Sequence, residues 1–328
     1  MNAPLKLQYN DGNHAYWLTL AGATKGTRCT SVTALAKVPD STWALDQWRA
    51  RTMAAGFGLR PELAERAAAH VGNADQLQAL AEQALEAAKA AEGRDRGSAI
   101  HAVLERHITG QDVVPTGLAV WAIDTFESLL AAGGLRVVPE LVERAVVWPD
   151  TPGGPIAGRF DLVVEDLATG ARFLADHKGS KSAAYTHAWA TQLAAYRFAP
   201  YLCGAFDARG VTTEFTADGL GGLSGSRAVV FHLPDPEHGD PGLVWIDIAE
   251  GRKVWESVCL GAHRWRKMSA TIEHTRVPAT PPAVEAATDD EIRSLGSTPP
   301  APLAVLTIEP TVPADGLIAP SDWLLERL

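Results

Sequence analysis

The stretch GRFDLVVEDLATGARFLADHK, residues 158–178, decides how the fold of this sequence is interpreted. Two apolar runs in it flank Ala168–Thr169, a pattern that predicts two antiparallel β-strands joined by a hairpin. With the turn centred there, the register places Asp161 directly opposite Asp176. Asp176 and Lys178 are two residues apart on one strand, so both side chains point to the same face. The predicted hairpin therefore brings two carboxylates and one amine together.

Two carboxylates at opposed positions of a hairpin repel each other unless a cation lies between them. Their Cβ atoms are about 5 Å apart, and like charges at that distance destabilise the pair. Mg²⁺ and Mn²⁺ prefer oxygen ligands, which Asp161, Asp176 and the backbone carbonyl of His177 supply. A bound ion would polarise a phosphodiester and activate a water, while Lys178 orients that water or stabilises the developing negative charge. The pattern predicts hydrolysis without a covalent intermediate.

The same residues also have a purely structural interpretation. Asp161 would cap a turn, and Asp176–His177–Lys178 would be a solvated strand end with a surface ion pair. Gly158 and Gly179 flank the pair at points where a backbone approaches a ligand, and apolar runs precede both aspartates. These neighbours favour the functional interpretation.

Helical spacing of apolar residues dominates the chain before this hairpin, and strand patterns surround it. The sequence predicts a mixed α/β fold of the α+β kind, with a central mixed β-sheet flanked by helices and a helical N-terminal region. Gly93–Gly97 is expected to interrupt the helical region. The predicted strands are 16–20, 141–148, 156–165, 171–178, 227–233 and 243–248. The predicted helices are 30–36, 42–55, 61–92, 98–110, 117–132, 188–202 and 251–275.

The chain is expected to divide into three parts. Residues 1–92 form a mainly helical N-terminal region with a short β segment, and residues 93–276 form the catalytic core. Residues 277–328 are rich in Pro, Ala, Thr and acidic residues. This composition predicts a flexible tail, because too little apolar surface is available to offset the entropy of ordering. Within the tail, 321–328 is expected to form a short amphipathic helix that docks on the body or on a partner.

The overall composition narrows the functional classes. Of 328 residues 46% are hydrophobic, enough for a sizeable core, and no apolar run or secretory signal indicates a membrane, so a cytoplasmic location is expected. Cys29, Cys203 and Cys259 form no CxxC pair, which predicts free thiols and excludes a four-cysteine iron–sulfur cluster. No Gly-x-x-x-x-Gly-Lys-Ser/Thr loop is present, so no nucleotide cofactor is expected. The formal net charge of −10 argues against a protein coated with basic residues.

Four ordered blocks of the sequence resemble the RecB-like branch of the PD-(D/E)xK nucleases. They are Gly97–His101 with Glu105, Gly158–Asp161, Asp176–Lys178 and Gln192–Tyr196. Their order and spacing are more specific than any one block. The resemblance implies a restriction-endonuclease-like core in which His101, Asp161 and Asp176 bind Mn²⁺ or Mg²⁺. It also implies that Lys178 is catalytic.

Residues outside the hairpin extend the expected site. The imidazole of His101 supplies a nitrogen ligand, which favours Mn²⁺ somewhat over Mg²⁺. Gln192 and Tyr196 share one face of a predicted helix and would hydrogen-bond or stack on nucleic acid; alternatively, they satisfy buried polar groups. Glu143 resembles the acidic residue that often accompanies this core and would hold Lys178 or a metal-bound water, or else lie on a solvated strand face. The basic residues expected to grip phosphates are Arg94, Arg96, Arg159 and Lys181.

Together these expectations predict a DNA exonuclease that acts in bacterial or phage recombination, repair or replication. It would be similar to stand-alone phage exonucleases. The expected partners are DNA and, through the C-terminal segment, a single-strand annealing or other recombination protein. If a phage encodes the protein, its compartment would be the cytoplasm of the bacterial host. Two alternatives stay open: a catalytically silent DNA-binding or assembly protein on the same fold, and an endonuclease or nickase on the same core.

Overall fold

The computed structural model describes residues 3–40, 43–179, 186–234 and 239–269. These residues belong to one compact unit, whereas the predicted tail 277–328 and its terminal helix lie outside the described residues. None of the helices in the described ranges has both the length and the apolar character needed to cross a bilayer.

Helices and strands follow one another along the described chain. The helices are α1 (Val32–Ala36), α2 (Trp43–Leu59), α3 (Pro61–Ala69), α4 (Ala74–Ala87), α5 (Glu92–Ile108), α6 (Gly117–Gly133), α7 (Thr186–Arg197), α8 (Ile248–Val254) and α9 (Leu260–Ser269). The strands are β1 (Pro4–Asn10), β2 (Ala15–Leu20), β3 (Thr27–Arg28), β4 (Thr30–Ser31), β5 (Leu135–Val137), β6 (Arg144–Trp148), β7 (Ile156–Phe160), β8 (Leu162–Asp166), β9 (Arg172–Lys178), β10 (Tyr201–Cys203), β11 (Val211–Thr212), β12 (Phe215–Ala217), β13 (Arg227–His232) and β14 (Gly242–Asp247). Short 3-10 helices occupy Asp11–Asn13 and Pro139–Leu141, and a π-helical turn, Trp255–Cys259, joins α8 to α9.

Within the described ranges the strands form three sheets. Their strand orders are β11-β1-β2-β3, β12-β10-β6-β7-β4 and β14-β13-β9-β8-β5. In the third sheet β9 runs parallel to β13 and antiparallel to β8. The N-terminal strands take part in this architecture, because β1 pairs with β11 and β4 pairs with β7. Helices combined with mixed sheets confirm the α+β class that the sequence predicts.

The hairpin of β8 and β9 has the predicted register. Leu162 pairs with Ala175, so the next positions outward along the two strands are Asp161 and Asp176. Alternation along β9 then separates its side chains between two hydrophobic cores. Asp176 lies on the side of the core built with α1, α7 and α8, whereas His177 lies on the side of the core built with α5 and α6.

The single strand predicted at 156–165 is wrong. The chain forms β7 as far as Phe160 in one sheet and β8 from Leu162 in another, with Asp161 between them. The carbonyl of Asp161 instead accepts the backbone N–H of Glu143 at 2.7 Å. Apolar residues on both sides of Asp161 give no signal for a change of sheet, because both strands are buried.

Two predicted helix boundaries near the site also differ. Gly93–Gly97 does not interrupt the helical region, because α5 begins at Glu92; the break comes earlier, where Lys89 adopts a left-handed φ of 55°. The helix predicted at 188–202 ends at Arg197, and its last residues form β10. Pro200 explains this end, since proline disfavours helical backbone at the residue before it.

The predicted helix 251–275 begins earlier, at Ile248, where the side chain of Asp247 accepts the N–H groups of Ala249 and Glu250 at 2.8 and 3.3 Å. This is a helix N-cap, which satisfies amide groups that have no partner inside the helix. The described helical residues end at Ser269, and the predicted remainder up to residue 275 lies outside the description.

A glycine at position 158 lets two helices pack directly on β7. A Cβ atom at Gly158 would lie 2.8 Å from Cε1 of Tyr196 in α7 and 2.9 Å from Cβ of Val32 in α1. These distances are too short for a side chain. The sequence motif around Gly158 therefore serves close packing beside the site.

Candidate metal centre

Side chains from four parts of the chain converge at the C-terminal end of β9. Helix α5 carries His101, the turn before β6 carries Glu143, the junction of β7 and β8 carries Asp161, and β9 ends in Asp176–Lys178. His101 Nε2 lies within 3.5 Å of both Asp161 and Glu143. Asp161 therefore lies in one cluster with residues that are distant in the sequence.

Asp161 occupies the middle of this site. Its Oδ1 lies 3.0 Å from Nε2 of His101, and its Oδ2 accepts the backbone N–H of His177 at 2.8 Å. Only 13% of its side chain is exposed, so the carboxylate interacts with protein groups rather than with bulk water. The backbone of β9 and the imidazole of α5 thus fix one carboxylate between them.

Glu143 reaches the site from an unusual backbone conformation. Its φ of 51° lies in the left-handed region, which residues other than glycine rarely adopt. Its Oε1 lies 3.5 Å from Nε2 of His101, and its Oε2 lies 2.8 Å from Nε of Arg159. The guanidinium of Arg159 also lies over the ring of Tyr9, 5.4 Å from its centre. The predicted phosphate contact at Arg159 is therefore near the site but already paired with Glu143.

Asp176 and Lys178 form a buried ion pair on the other face of β9. Nζ of Lys178 lies 2.5 Å from Oδ2 of Asp176, whose side chain is 4% exposed. Their common orientation follows from the alternation of side chains along a strand. This is the arrangement that the spacing Asp-x-Lys predicts.

His177 points to the opposite face, where aromatic rings enclose it. Its ring centre lies 5.2 Å from that of Phe126, 5.7 Å from that of Phe231 and 5.9 Å from that of His101. Its side chain is 6% exposed, and neither ring nitrogen has a hydrogen-bond partner among the described residues. Nδ1 lies 3.5 Å from Oδ2 of Asp161.

Two groups of side chains in the described residues bring their ligand atoms close enough to hold a cation. One group is His101, Asp161 and His177, and the other is His101, Glu105 and Glu143. Asp176 is in neither group, and its Oδ2 is occupied by Lys178. Imidazole and carboxylate together suit first-row divalent ions such as Mn²⁺.

The protonation of His101 and Glu143 reflects this crowding. Burial opposes the charged form of His101, but the hydrogen bond and the negative charge of Asp161 outweigh it and raise the pKa of His101 to about 9. Burial raises the pKa of Glu143 to about 7, with a further increase from the charge of Asp161 and an opposing effect of Arg159. Each group holds its proton more tightly than in an unfolded chain.

The other charged groups respond to the same neighbours. Burial would raise the pKa of Asp161, but the hydrogen bond from His101 and the close approach of the His177 imidazole hold it well below its usual range. Burial and the charge of Asp161 raise the pKa of Asp176, and Lys178 opposes this effect. Burial lowers the pKa of Lys178, but Asp176 and Asp161 outweigh it, so the net pKa is raised. Lys178 therefore remains an ammonium at neutral pH.

Gln192 and Tyr196 lie beside the site but within the protein. The Tyr196 ring is 1% exposed, and its hydroxyl accepts a hydrogen bond from Nε2 of Gln192 at 3.2 Å. The hydroxyl of Thr33 in α1 lies 3.5 Å from the same oxygen. This placement favours the alternative given above, in which the pair satisfies buried polar groups, because a ring so deeply buried offers no surface for stacking.

The remaining predicted phosphate contacts have different outcomes. Arg96 lies in α5 beside Leu118 and Trp121 of α6. Lys181 and the side chain of Arg94 lie outside the described residues.

No protein-family model and no curated protein significantly matches this chain. The chemistry of the site is therefore inferred from its own residues. Glu105 is a candidate ligand that the sequence motif does not single out, although it lies four positions after His101 on one helix face. The motif predicts only the backbone carbonyl of His177 as a ligand, whereas its imidazole also lies beside Asp161.

Proposed function

We propose that this protein is a metal-dependent DNA exonuclease with a restriction-endonuclease-like core, as its resemblance to RecB-like nucleases implies. The observation that carries the proposal is the position of Asp161. Its Oδ1 atom lies 3.0 Å from Nε2 of His101. Its Oδ2 atom accepts a hydrogen bond from a backbone N–H of β9, the strand that carries the Asp176–Lys178 ion pair. Residues from three separate blocks of the motif thus meet at β9, which a chance match does not require.

The residues present fit a divalent ion. The Nε2 atom of His101 lies within 3.5 Å of a carboxylate oxygen of Asp161 and of one of Glu143, and buried negative charges are stabilised by a cation. When bound, the ion supplies Lewis-acid activation of a phosphodiester and of a water. Asp176 is the further oxygen ligand that the motif implies, and freeing it requires a change in its contact with Lys178.

The side chains of the chain itself supply the other functions. In this proposal Lys178 keeps its proton and stabilises the negative charge that develops on a scissile phosphate. Glu143, whose pKa is raised to about 7, holds or accepts a proton of the attacking water. Arg159 orients Glu143 through their 2.8 Å ion pair.

The test is a cleavage assay on linear and closed circular DNA, single- and double-stranded, with Mn²⁺, Mg²⁺ or EDTA. We expect the native protein to degrade linear DNA with a divalent ion and not with EDTA. We expect Lys178→Ala and Asp176→Asn to lose at least about a hundredfold in rate, because the first removes the amine that stabilises the developing charge and the second removes a charged ligand of the ion. The matched control is Lys253→Ala, which removes an exposed lysine that pairs with Glu250 on α8.

Each outcome of this assay has a clear reading. Equal cleavage by all four proteins, or cleavage in EDTA, would contradict the assignment of the site. Cutting of closed circles would support the endonuclease or nickase alternative. Binding of DNA without cleavage under every metal condition would support the silent DNA-binding protein.

A further inference from the structure

The imidazole of His177 is buried without a hydrogen-bond partner among the described residues. Both ring nitrogens are shielded from solvent and have no hydrogen-bond partner in the described part of the chain. Phe126 and Phe231 surround the ring, so a phenylalanine at this position would pack in the same place without an unsatisfied polar group. Burying a polar atom without a partner is unfavourable, which makes the choice of histidine informative.

The unpartnered ring lies next to the most central carboxylate of the site. Nδ1 of His177 is 3.5 Å from Oδ2 of Asp161, and Nε2 of His101 is 3.0 Å from Oδ1 of the same residue. The 3.5 Å separation is too long for a good hydrogen bond. It is, however, a normal separation for two atoms that bind one ion.

Two atoms that bind the same ion lie at a characteristic distance from each other. Nitrogen and oxygen ligands lie about 2.0–2.2 Å from small divalent ions. Adjacent ligands are then about 3.0 Å apart in an octahedron and about 3.4 Å apart in a tetrahedron. The separations of 3.0 Å from His101 Nε2 to Oδ1 of Asp161 and of 3.5 Å from His177 Nδ1 to Oδ2 are close to this range, so the two nitrogens and the carboxylate are near enough to share one ion.

We propose that the imidazole of His177 binds the metal ion together with His101 and Asp161. The centre is then a set of two imidazoles and one carboxylate, which selects Mn²⁺ or a later first-row divalent ion over Mg²⁺. The backbone N–H of His177 holds the Asp161 carboxylate between the two rings at 2.8 Å. The inference rests on the metal site of the proposed function, but it does not require that DNA is cleaved.

The first measurement is a count of nitrogen ligands in the Mn²⁺-loaded full chain by pulsed electron paramagnetic resonance, without DNA. We expect two imidazole nitrogens in the native protein. A single imidazole would overturn the inference. Because this measurement uses the unaltered protein, it does not depend on how any variant folds.

The second measurement compares Mn²⁺ and Mg²⁺ affinity in His177→Phe with that in the control His107→Phe. His107 lies on the same helix as His101 but pairs with Glu127 at 2.8 Å, outside both groups of candidate ligands. We expect His177→Phe to weaken Mn²⁺ binding by at least about tenfold, since loss of even a residue that only supports a ligand costs about 10- to 100-fold. We expect a smaller change for Mg²⁺ and none for the control.

Native Mn²⁺ affinity in a folded His177→Phe variant would overturn the inference, because the backbone carbonyl of residue 177 would then be sufficient to bind the ion.

The two proposals can fail separately. Two bound imidazoles without any DNA cleavage would contradict the nuclease and support this centre. A single bound imidazole, together with DNA cleavage that depends on Lys178, would support the nuclease and contradict this two-imidazole centre.

Discussion

The carboxylate of Asp161 accepts the backbone N–H of His177 at 2.8 Å, so the central ligand of the site is fastened to β9 by main-chain geometry. Side-chain rotation in His177 does not break this bond. A residue at position 161 therefore has two tasks, as an acceptor for a buried amide and as a negative charge beside His101.

Substitutions at Asp161 separate these two tasks. Asp161→Ala leaves the His177 amide without its acceptor, and we expect the free energy of unfolding in EDTA to fall by about 1–3 kcal/mol. Asp161→Asn keeps an oxygen at this position and should lose less, while both variants lose Mn²⁺ binding. Urea unfolding measures the difference, with the exposed Asp112→Ala as control. Equal stability of the Ala and Asn variants would contradict the role of the hydrogen bond.

The close approach of α7 and α1 to β7 makes Gly158 sensitive to substitution. Gly158→Ala places a methyl group 2.8 Å from Tyr196 and 2.9 Å from Val32, and we expect a loss of about 1–3 kcal/mol in unfolding free energy from overpacking. Gly72→Ala is the control, because a Cβ atom there meets nothing within 4 Å. A urea midpoint for Gly158→Ala equal to that of the control would show that the helices have room to move.

The free energy of unfolding of the metal-free protein should fall as the pH rises. The pKa of Glu143 is raised from 4.5 to about 7, so the folded state retains this proton more tightly and stability is lost between these values. The pKa of His101 is raised from 6.5 to about 9, so its contribution is complete below pH 6.5 and disappears as the pH approaches 9. Urea unfolding at a series of pH values in EDTA measures both effects.

The variant His101→Gln tests which group causes the upper part of this profile. We expect the decrease between pH 6.5 and 9 to become shallower, because the titrating imidazole is absent. With saturating Mn²⁺ the sign reverses for the native protein, since the ion competes with the proton on His101 and its stabilising effect grows with pH. A profile for His101→Gln that runs parallel to the native one above pH 6.5 would contradict this assignment.

The buried position of Tyr196 predicts a structural role. Tyr196→Phe removes the contacts of its hydroxyl with Gln192 and Thr33, and we expect stability to fall by about 0.5–1.5 kcal/mol. Affinity for single-stranded DNA should stay within about twofold. This result is expected whether the buried ring makes no contact with DNA or stacks on a base, because phenylalanine keeps the aromatic ring. Tyr196→Leu then distinguishes the cases: a large loss of DNA affinity in a folded protein would restore the stacking interpretation.

The hairpin was predictable because its signals are local. The side chain of Asp166 accepts the N–H groups of Ala168 and Thr169 at 2.9 and 2.8 Å, and Gly170 adopts the φ of 72° that the turn needs. Turn chemistry of this kind fixes the register, and the register places Asp161 near Asp176.

The parts of the site that escaped prediction depend on tertiary contacts. The mostly apolar residues that flank Asp161 look the same whether the chain stays in one sheet or changes to another. The left-handed conformation of Glu143 occurs without a glycine or asparagine, so residue type gives no warning. The imidazole of His177 was within reach of sequence reasoning, since strand alternation puts it on the face opposite Asp176, where α5 brings His101.

The passage of the chain from β7 to β8 has a mechanical consequence. Asp161 is the single residue that joins Phe160 in one sheet to Leu162 in the other, so it acts as the pivot between them. A change in the angle between the sheets would rotate this carboxylate relative to the two histidines and so alter the ligand distances. A substitution that loosens the packing of the buried Phe160 should therefore weaken metal affinity.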